Sequence, residues 1–259
     1  MNLFGTGRQQ PKAFPRGVAG VLCAVIALSV WQVVALVVNA PYIVPGPVDV
    51  VVRAGELVVT AEFWEAVAWS LLRVLVGLTC GFVLGVALAF GAAAAPRARA
   101  VFAPFVKVLR TVPVVCFILL MLLWVNATWL SAIVSALMVL PVAWTNTVDA
   151  LDSLDAGIVE MAQLFELPWH VRLFRVYMPA IAPQLVSTLV VALGLAWKSG
   201  VTAEALALPF AGMGTEIYQA KIALDAADIF VWAAVIVAIS WALETVVRLG
   251  ARRFADRDA

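Results

Sequence analysis

Charged side chains are scarce in this sequence. Lysine, arginine, aspartate and glutamate make up 13% of its 259 residues, and hydrophobic residues make up 64%. Soluble domains carry about 25% charged and about 45–50% apolar residues. A water-soluble fold of this length could not bury so much apolar surface, so lipid must surround most of the chain. The composition therefore predicts an integral membrane protein.

Residue types that build chemical sites are also rare. The single histidine, His170, excludes a multi-histidine metal cluster, and the three cysteines lie inside apolar runs, which is typical of core residues. A formal net charge of +1 gives no basic footprint for nucleic acid. The G-x-x-x-x-G-K-[S/T], HExxH, CxxC and G-x-S-x-G motifs are missing. We therefore predict a protein that is not an enzyme and binds neither a metal nor nucleic acid.

Apolar runs of about 20 residues, the length that crosses a bilayer as a helix, predict six transmembrane helices. The run from Thr111 to Val148 is uncharged and too long for one helix, so we place a break at Asn126-Ala127-Thr128. The predicted spans are residues 18–38, 70–95, 104–125, 128–148, 176–198 and 229–249. They form one all-α transmembrane domain over residues 18–250, with tails at 1–17 and 251–259 and a polar loop at 149–178.

The basic residues predict the orientation of these spans. Six spans place both termini on one side, together with the 149–178 loop, and the opposite loops hold few basic residues beyond Arg53 and Lys221. Cytoplasmic loops carry the excess of Lys and Arg. We therefore predict that both termini and the 149–178 loop are cytoplasmic, because that side contains Arg8, Lys12, Arg16, Arg97, Arg99, Arg172, Arg175, Arg252, Arg253 and Arg257.

Three glycines on the second span share one helix face. Gly77, Gly81 and Gly85 follow each other at intervals of four residues. Small residues at this spacing let another helix backbone approach closely. We expect packing within the subunit, and a dimer face is the alternative that the spacing alone leaves open.

Charges within or close to spans are costly in lipid and are usually functional or paired. Lys198 ends the fifth predicted span beside Trp197, and Glu204 follows one or two turns later. A Lys198–Glu204 pair could line a cavity, which makes these three residues candidates for a translocation pathway. The alternative is two charges at the external water interface. Three other basic residues, at the starts of the second and third spans, are expected to anchor at the interface: Arg73, Lys107 and Arg110.

A charged segment from Glu160 to Pro179 interrupts the apolar runs. Its apolar residues recur at helical spacing on both sides of Pro168, which predicts two short amphipathic helices with Pro168 at the start of the second. An apolar face outside the bilayer needs a partner surface or must fold back onto the spans.

This segment resembles the cytoplasmic signature of the permease subunits of binding-protein-dependent ABC importers. The signature reads E-A-A, three residues, Gly, and a stretch that ends in aliphatic-x-Leu-Pro. Glu160-Met161-Ala162 takes the E-A-A place, Pro179 falls nineteen residues after Glu160, and Val176 and Met178 take the aliphatic and Leu places. Met161 replaces the first Ala, and Glu166 stands where the family usually has the Gly that permits a turn.

The resemblance extends from about Pro41 to Phe254. Five further segments are similar, in order and spacing, to the nitrate, sulfonate and taurine branch of that family: Val44 to Pro47, Ser70 to Val74 with the glycines after it, Leu109 to Pro113, Leu193 to Trp197, and Gly212 to Gly214.

The resemblance implies a type I ABC importer permease fold and a multi-pass protein of a prokaryotic plasma membrane. It implies two permease subunits, as a homodimer or with a related permease, that form the pathway, cytoplasmic ATPase subunits that bind ATP and Mg²⁺, and an external substrate-binding protein. The permease itself holds no cofactor. The residues that the resemblance assigns to ATPase docking are Glu160, Met161, Ala162, Gln163, Leu164, Phe165, Glu166 and Pro179. Ala162 is expected to keep the contact close, with Leu164 and Phe165 filling a cleft.

Two other classes of protein are weighed against this interpretation. An ion-coupled secondary transporter would need inverted repeats and buried acidic residues at mid-membrane, whereas the acids here are expected at the ends of spans. A membrane enzyme would need converging catalytic groups.

For the substrate, the resemblance suggests a small solute such as nitrate, a sulfonate, taurine or another organic nutrient. A positive Lys198 on the pathway would suit an anion unless Glu204 neutralises it.

Overall fold

The computed structural model describes residues 16–255, which form helices joined by short turns. The predicted all-α class is confirmed. The helices are α1 Arg16–Val38, α2 Pro47–Val58, α3 Ala61–Ala94, α4 Pro96–Thr111, α5 Val114–Met121, α6 Ala127–Asp152, α7 Ala156–Leu164, α8 Trp169–Val171, α9 Met178–Ala207, α10 Met213–Ile222 and α11 Ala226–Ala255, with a π-helical turn at Arg172–Tyr177 between α8 and α9. Residues 1–15 and 256–259, which belong to the predicted tails at 1–17 and 251–259, lie outside the described residues.

Five helical stretches are long and apolar enough to cross a membrane: Gly20–Val38, Ala61–Ala94, Ala127–Asp152, Trp169–Ala207 and Ala226–Gly250. A sixth span exists only if α4 and α5, which are inclined by 97°, count as one. The predicted span at 104–125 is therefore divided into two helices and is not one continuous helix. Pro113 has no N–H to donate, and Val112 before it is extended at ψ 130°, so the chain turns between α4 and α5.

The predicted break before the fourth span is confirmed. The side chain of Asn126 accepts a hydrogen bond from the Thr128 N–H at 2.8 Å and caps α6. The segment between the predicted fifth and sixth spans is largely helical, because α9 continues to Ala207 and α10 occupies Met213–Ile222. Which side of the membrane each end faces remains a prediction from the basic residues.

Helix α6 packs against both α3 and α9, which also contact each other. The glycine face of α3 packs on it, since a Cβ at Gly81 would lie 2.8 Å from Ala136 Cα and one at Gly85 2.7 Å from Ala143 Cβ. Ser131 and Ser135 of α6 also donate hydrogen bonds to backbone carbonyls of α9, each at 3.0 Å. The structure thus places the three glycines against α6 of the same chain, and not on a face left for a second copy.

Replacing Gly81 by Ala should destabilise this packing. The added methyl group has no room between two backbones, and overpacking of a core costs about 1–3 kcal/mol. The free energy of unfolding, measured by denaturant titration in detergent, should fall by that amount. Gly194→Ala on α9 is the matched control, because a Cβ there meets no atom within 4 Å. It should leave the stability unchanged or raise it by about 0.5–1 kcal/mol, and equal losses in both variants would contradict the packing role.

Candidate functional site

A buried ion pair joins α3 to α9. Arg73 Nη1 lies 3.1 Å from Glu204 Oε1, and the two side chains are 2% and 0% exposed. Ser70 donates a hydrogen bond to Glu204 Oε2 at 2.6 Å, and Arg73 also donates to the Ala211 carbonyl. A buried charge is costly unless it is paired and hydrogen-bonded, and both conditions hold here.

The same network holds the turn between α9 and α10. The Met213 N–H donates to Ser70 Oγ at 2.8 Å, and the Gly214 N–H donates to Glu204 Oε2 at 3.3 Å. A Cβ at Gly212 would lie 2.8 Å from Glu204 Oε2, so a side chain there would displace the carboxylate. The ion pair therefore fixes the start of α10 against α3 and α9.

This arrangement corrects three expectations. Arg73 does not anchor at the interface, and Glu204 is not a charge at the water interface, because both are buried. Glu204 also does not pair with Lys198, which is exposed. The sequence signal that could have identified the pair is Ser70 and Arg73, one turn apart on one face of a long apolar helix.

Of the three candidate pathway residues, Trp197 and Glu204 lie in the interior of the chain. Trp197 is buried, and its indole N–H donates to the Ile236 carbonyl of α11 at 3.1 Å. A side chain packed in this way cannot line a water-filled passage in this conformation, so the structure does not support that role for Trp197 or Glu204. Lys198 alone of the three is exposed.

The segment that carries the docking candidates begins with α7. Glu160 and Met161 are exposed, and two large apolar side chains at its end are strongly exposed, Leu164 at 82% and Phe165 at 68%. Ala162 is instead fully buried within the chain, so its side chain is not part of this exposed surface. The side chain of Gln163 lies outside the described part of the structure. The result is an apolar surface on α7 that no described residue covers.

Glu166 forms the turn after α7 in a conformation that suits glycine. Its φ is +46°, the left-handed region, and the Leu167 N–H donates to the Ala162 carbonyl at 3.3 Å. These are features of the Schellman motif that ends many helices, in which the left-handed residue is usually Gly. The turn that the family Gly permits is therefore retained with Glu in its place. Pro168 then stands at the start of α8, as predicted.

The second half of the segment is not a separate helix. Trp169–Ala207 is one continuous helical stretch, so the prediction of a short helix followed by a span that begins near residue 176 is wrong. The π-helical turn includes a Met178 N–H to Leu173 carbonyl bond, and exposed Pro179 follows directly. The wider turn makes room for a proline ring that would clash with a carbonyl in a regular α-helix.

Removing one charge of the buried pair should destabilise the protein more than removing both charges. Glu204→Gln leaves the Arg73 charge buried without its counter-ion, which should lower the free energy of unfolding by about 3–5 kcal/mol. The double variant Arg73→Met with Glu204→Gln should recover a large part of that loss. Arg248→Gln, in an exposed pair with Glu244, should change little. A double variant as unstable as the two single losses added together would contradict the coupling.

Glu166→Gly should strengthen the end of α7. A non-glycine residue in the left-handed region costs about 1–2 kcal/mol, and Gly avoids that cost. Hydrogen exchange of the Leu167 amide should slow roughly fivefold, the factor that about 1 kcal/mol represents. Glu166→Ala retains the strain and should show no such gain. Equal exchange rates in the Gly and Ala variants would show that the turn is not strained.

Comparison with known proteins agrees with this architecture. A family model described as "Binding-protein-dependent transport system inner membrane component" matches residues 81–257. The chain is 27% identical over 236 residues to the putative aliphatic sulfonates transport permease protein SsuC of Bacillus subtilis (strain 168), covering 90% of this chain and 85% of that protein.

Two further relatives have other named substrates. The chain is 25% identical over 236 residues to the taurine transport system permease protein TauC of Escherichia coli (strain K12), covering 88% of this chain and 85% of that protein. It is 24% identical over 168 residues to the formylaminopyrimidine transport permease protein ThiX of Halalkalibacterium halodurans, covering 64% of this chain and 67% of that protein. On this evidence the chain belongs to the family of inner membrane components of binding-protein-dependent transport systems, as an ABC importer permease of the sulfonate and taurine type.

Proposed function

We propose that this permease pairs with a second permease subunit, of the same or a related chain, to form a pathway through a prokaryotic plasma membrane for a small organic solute. An external binding protein delivers the solute, and separate cytoplasmic ATPase subunits bind ATP and Mg²⁺. The permease hydrolyses nothing and holds no cofactor. Relatives named for sulfonates, taurine and formylaminopyrimidine support a small solute without selecting one.

The observation that carries the docking proposal is the apolar surface of α7. Met161, Leu164 and Phe165 are exposed together on a short helix between charged residues. Apolar side chains grouped on an otherwise polar segment mark an interaction site. We assign the ATPase to this surface, with exposed Glu160 beside it as the partner of a basic residue on the ATPase.

The continuous helix from Trp169 to Ala207 supports a mechanical role for the same segment. Its first turns pack beside α7, and its far end carries Glu204, which is bonded to α3 and to the α10 turn. A helix is stiff along its axis, so a displacement at the docking surface is transmitted to the other end. In this proposal ATP binding moves the segment and biases the spans between two conformations.

Truncating the exposed apolar side chains should weaken ATPase binding without unfolding the permease. Burying a leucine is worth about 1.5–3 kcal/mol, so Leu164→Ala should weaken association about tenfold or more in a purified reconstitution. ATP-driven uptake should fall in parallel. Leu123→Ala removes another strongly exposed leucine, 72% accessible, in the turn before α6 and is the matched control.

A charge reversal at Glu160 is a second test of whether the ATPase binds this surface. Glu160→Lys should also lower association and uptake, because it places a positive charge where a carboxylate faces the ATPase. If no ATPase co-purifies with the wild-type permease, the importer proposal itself fails. If the ATPase binds and both Leu164→Ala and Glu160→Lys behave as wild type, the docking surface is wrongly placed.

A further inference from the structure

Phe210, in the turn between α9 and α10, has the most exposed large apolar side chain among the described residues, at 92%. Leu206 and Leu208, just before it in the chain, are also exposed. Three large apolar side chains that their own chain leaves uncovered indicate a contact with another molecule.

The fold fixes Phe210 in this exposed position. Both of its neighbours, Pro209 and Ala211, are buried, and the Ala211 carbonyl accepts a hydrogen bond from buried Arg73. Leu208 has a φ of +51°, a left-handed conformation that is unfavourable for a residue with a Cβ. Such strain persists where the surrounding structure determines the backbone, and it is concentrated at functional sites. The turn therefore cannot bury the ring of Phe210 without breaking these contacts.

Phe210 lies at the end of the chain opposite the ATPase-docking surface. Ser131, near the start of α6, donates a hydrogen bond to the Gly200 carbonyl, close to the end of α9. The α9–α10 turn is therefore near the start of α6, whereas α7 follows the end of α6.

The turn does not face the hydrocarbon of the bilayer. Residues 208–212 are not helical, and irregular backbone is not exposed to lipid within the hydrocarbon region, because its polar groups would lack hydrogen bonds there. The exposed ring therefore faces water or another protein surface.

The charges at this end of the chain indicate which surface the ring can meet. Two basic residues lie there, Arg53 and Lys221, and seven carboxylates: Asp49, Glu56, Glu62, Glu65, Glu216, Asp225 and Asp228. A two-fold pair of identical subunits places the same patch of each against its copy. An acidic patch would repel its copy, whereas the uncharged patch from Leu206 to Phe210 would not.

We infer that Phe210 meets Phe210 of a second copy of this chain at the two-fold axis, and that the two rings close the pathway at the end opposite the ATPase. Their contact removes apolar surface that each chain alone leaves exposed, which stabilises the closed state. Opening at this end then requires the rings to separate. This inference rests on the proposed pairing of two permease subunits, and it specifies the second subunit as the same chain.

Cross-linking tests the contact in the full-length chain. Phe210→Cys is introduced after Cys23, Cys80 and Cys116 are replaced by alanine, and membranes are oxidised with copper phenanthroline. A disulfide forms only where two Cα atoms approach within about 7 Å, so we expect a covalent dimer. Val59→Cys is the matched control, because Val59 is 83% exposed in the turn before α3, among the carboxylates. It should remain monomeric.

Leakage tests the closure. Proteoliposomes that contain the permease alone are loaded with radiolabelled taurine, and its release is followed. Phe210→Ala should speed release about tenfold, a factor that corresponds to about 1.4 kcal/mol, whereas Phe210→Trp and the control Val59→Ala should release it as slowly as the wild type. Because Phe210 is exposed, these variants should fold normally, which gel filtration in detergent checks.

A charge exchange tests whether the two rings meet directly. Phe210→Asp in both copies places two like charges together and should leak as Phe210→Ala does. A particle that combines one Phe210→Asp copy with one Phe210→Lys copy, isolated through two different affinity tags, should be tight again.

The mass of the wild-type particle in nanodiscs separates the possible failures. One copy per particle would overturn the pairing of identical chains. Two copies with no cross-link at position 210, or with an equal cross-link at position 59, would overturn the Phe210 contact and leave the paired permease in place. A thiol at position 210 that soluble reagents modify in such particles would assign this surface to the external binding protein instead. A cross-linked pair in which Phe210→Ala does not leak would overturn the closure.

Discussion

The cost of placing a charge in lipid governs much of this structure. Each charged group on a spanning helix must find an opposite charge or water. Arg73 and Glu204 meet the requirement inside the subunit. Ser70 and the Gly214 N–H donate hydrogen bonds to Glu204, and the Ala211 carbonyl accepts one from Arg73. Because the two charges come from different helices, satisfying them also determines how α3, α9 and α10 fit together.

Close packing of the helix backbones also determines how these helices fit together. In lipid, helices gain little from burying apolar surface against each other, so small residues and short polar contacts hold them together. The glycines of α3 and the serines of α6 serve this purpose where α3, α6 and α9 meet. The helices α3, α6 and α9 thereby form a well-packed unit, and the segment that follows α6 leaves its apolar side chains exposed at one end of it.

Much of the architecture could be predicted from composition and periodicity. The all-helical class, the cap at Asn126 and the start of α8 after Pro168 follow from local rules that hold wherever such residues occur. The size of the bend at Pro113, 97°, and the continuous helix through Pro179 could not be predicted in the same way. A proline can break a helix, kink it or be absorbed by a π-helical turn, and only the surrounding packing selects among these outcomes.

By itself, the sequence determined that this chain resides in a membrane, where its apolar runs lie and which segment carries a permease signature, because these depend on composition and on spacing along the chain. Only the tertiary structure decided which charges are partners. Glu204 is closer in sequence to Lys198 than to Arg73, yet it bonds to Arg73, since the antiparallel packing of α9 on α3 brings those two side chains to one level. That pairing removes the carboxylate that could have neutralised Lys198, and it leaves Lys198 exposed.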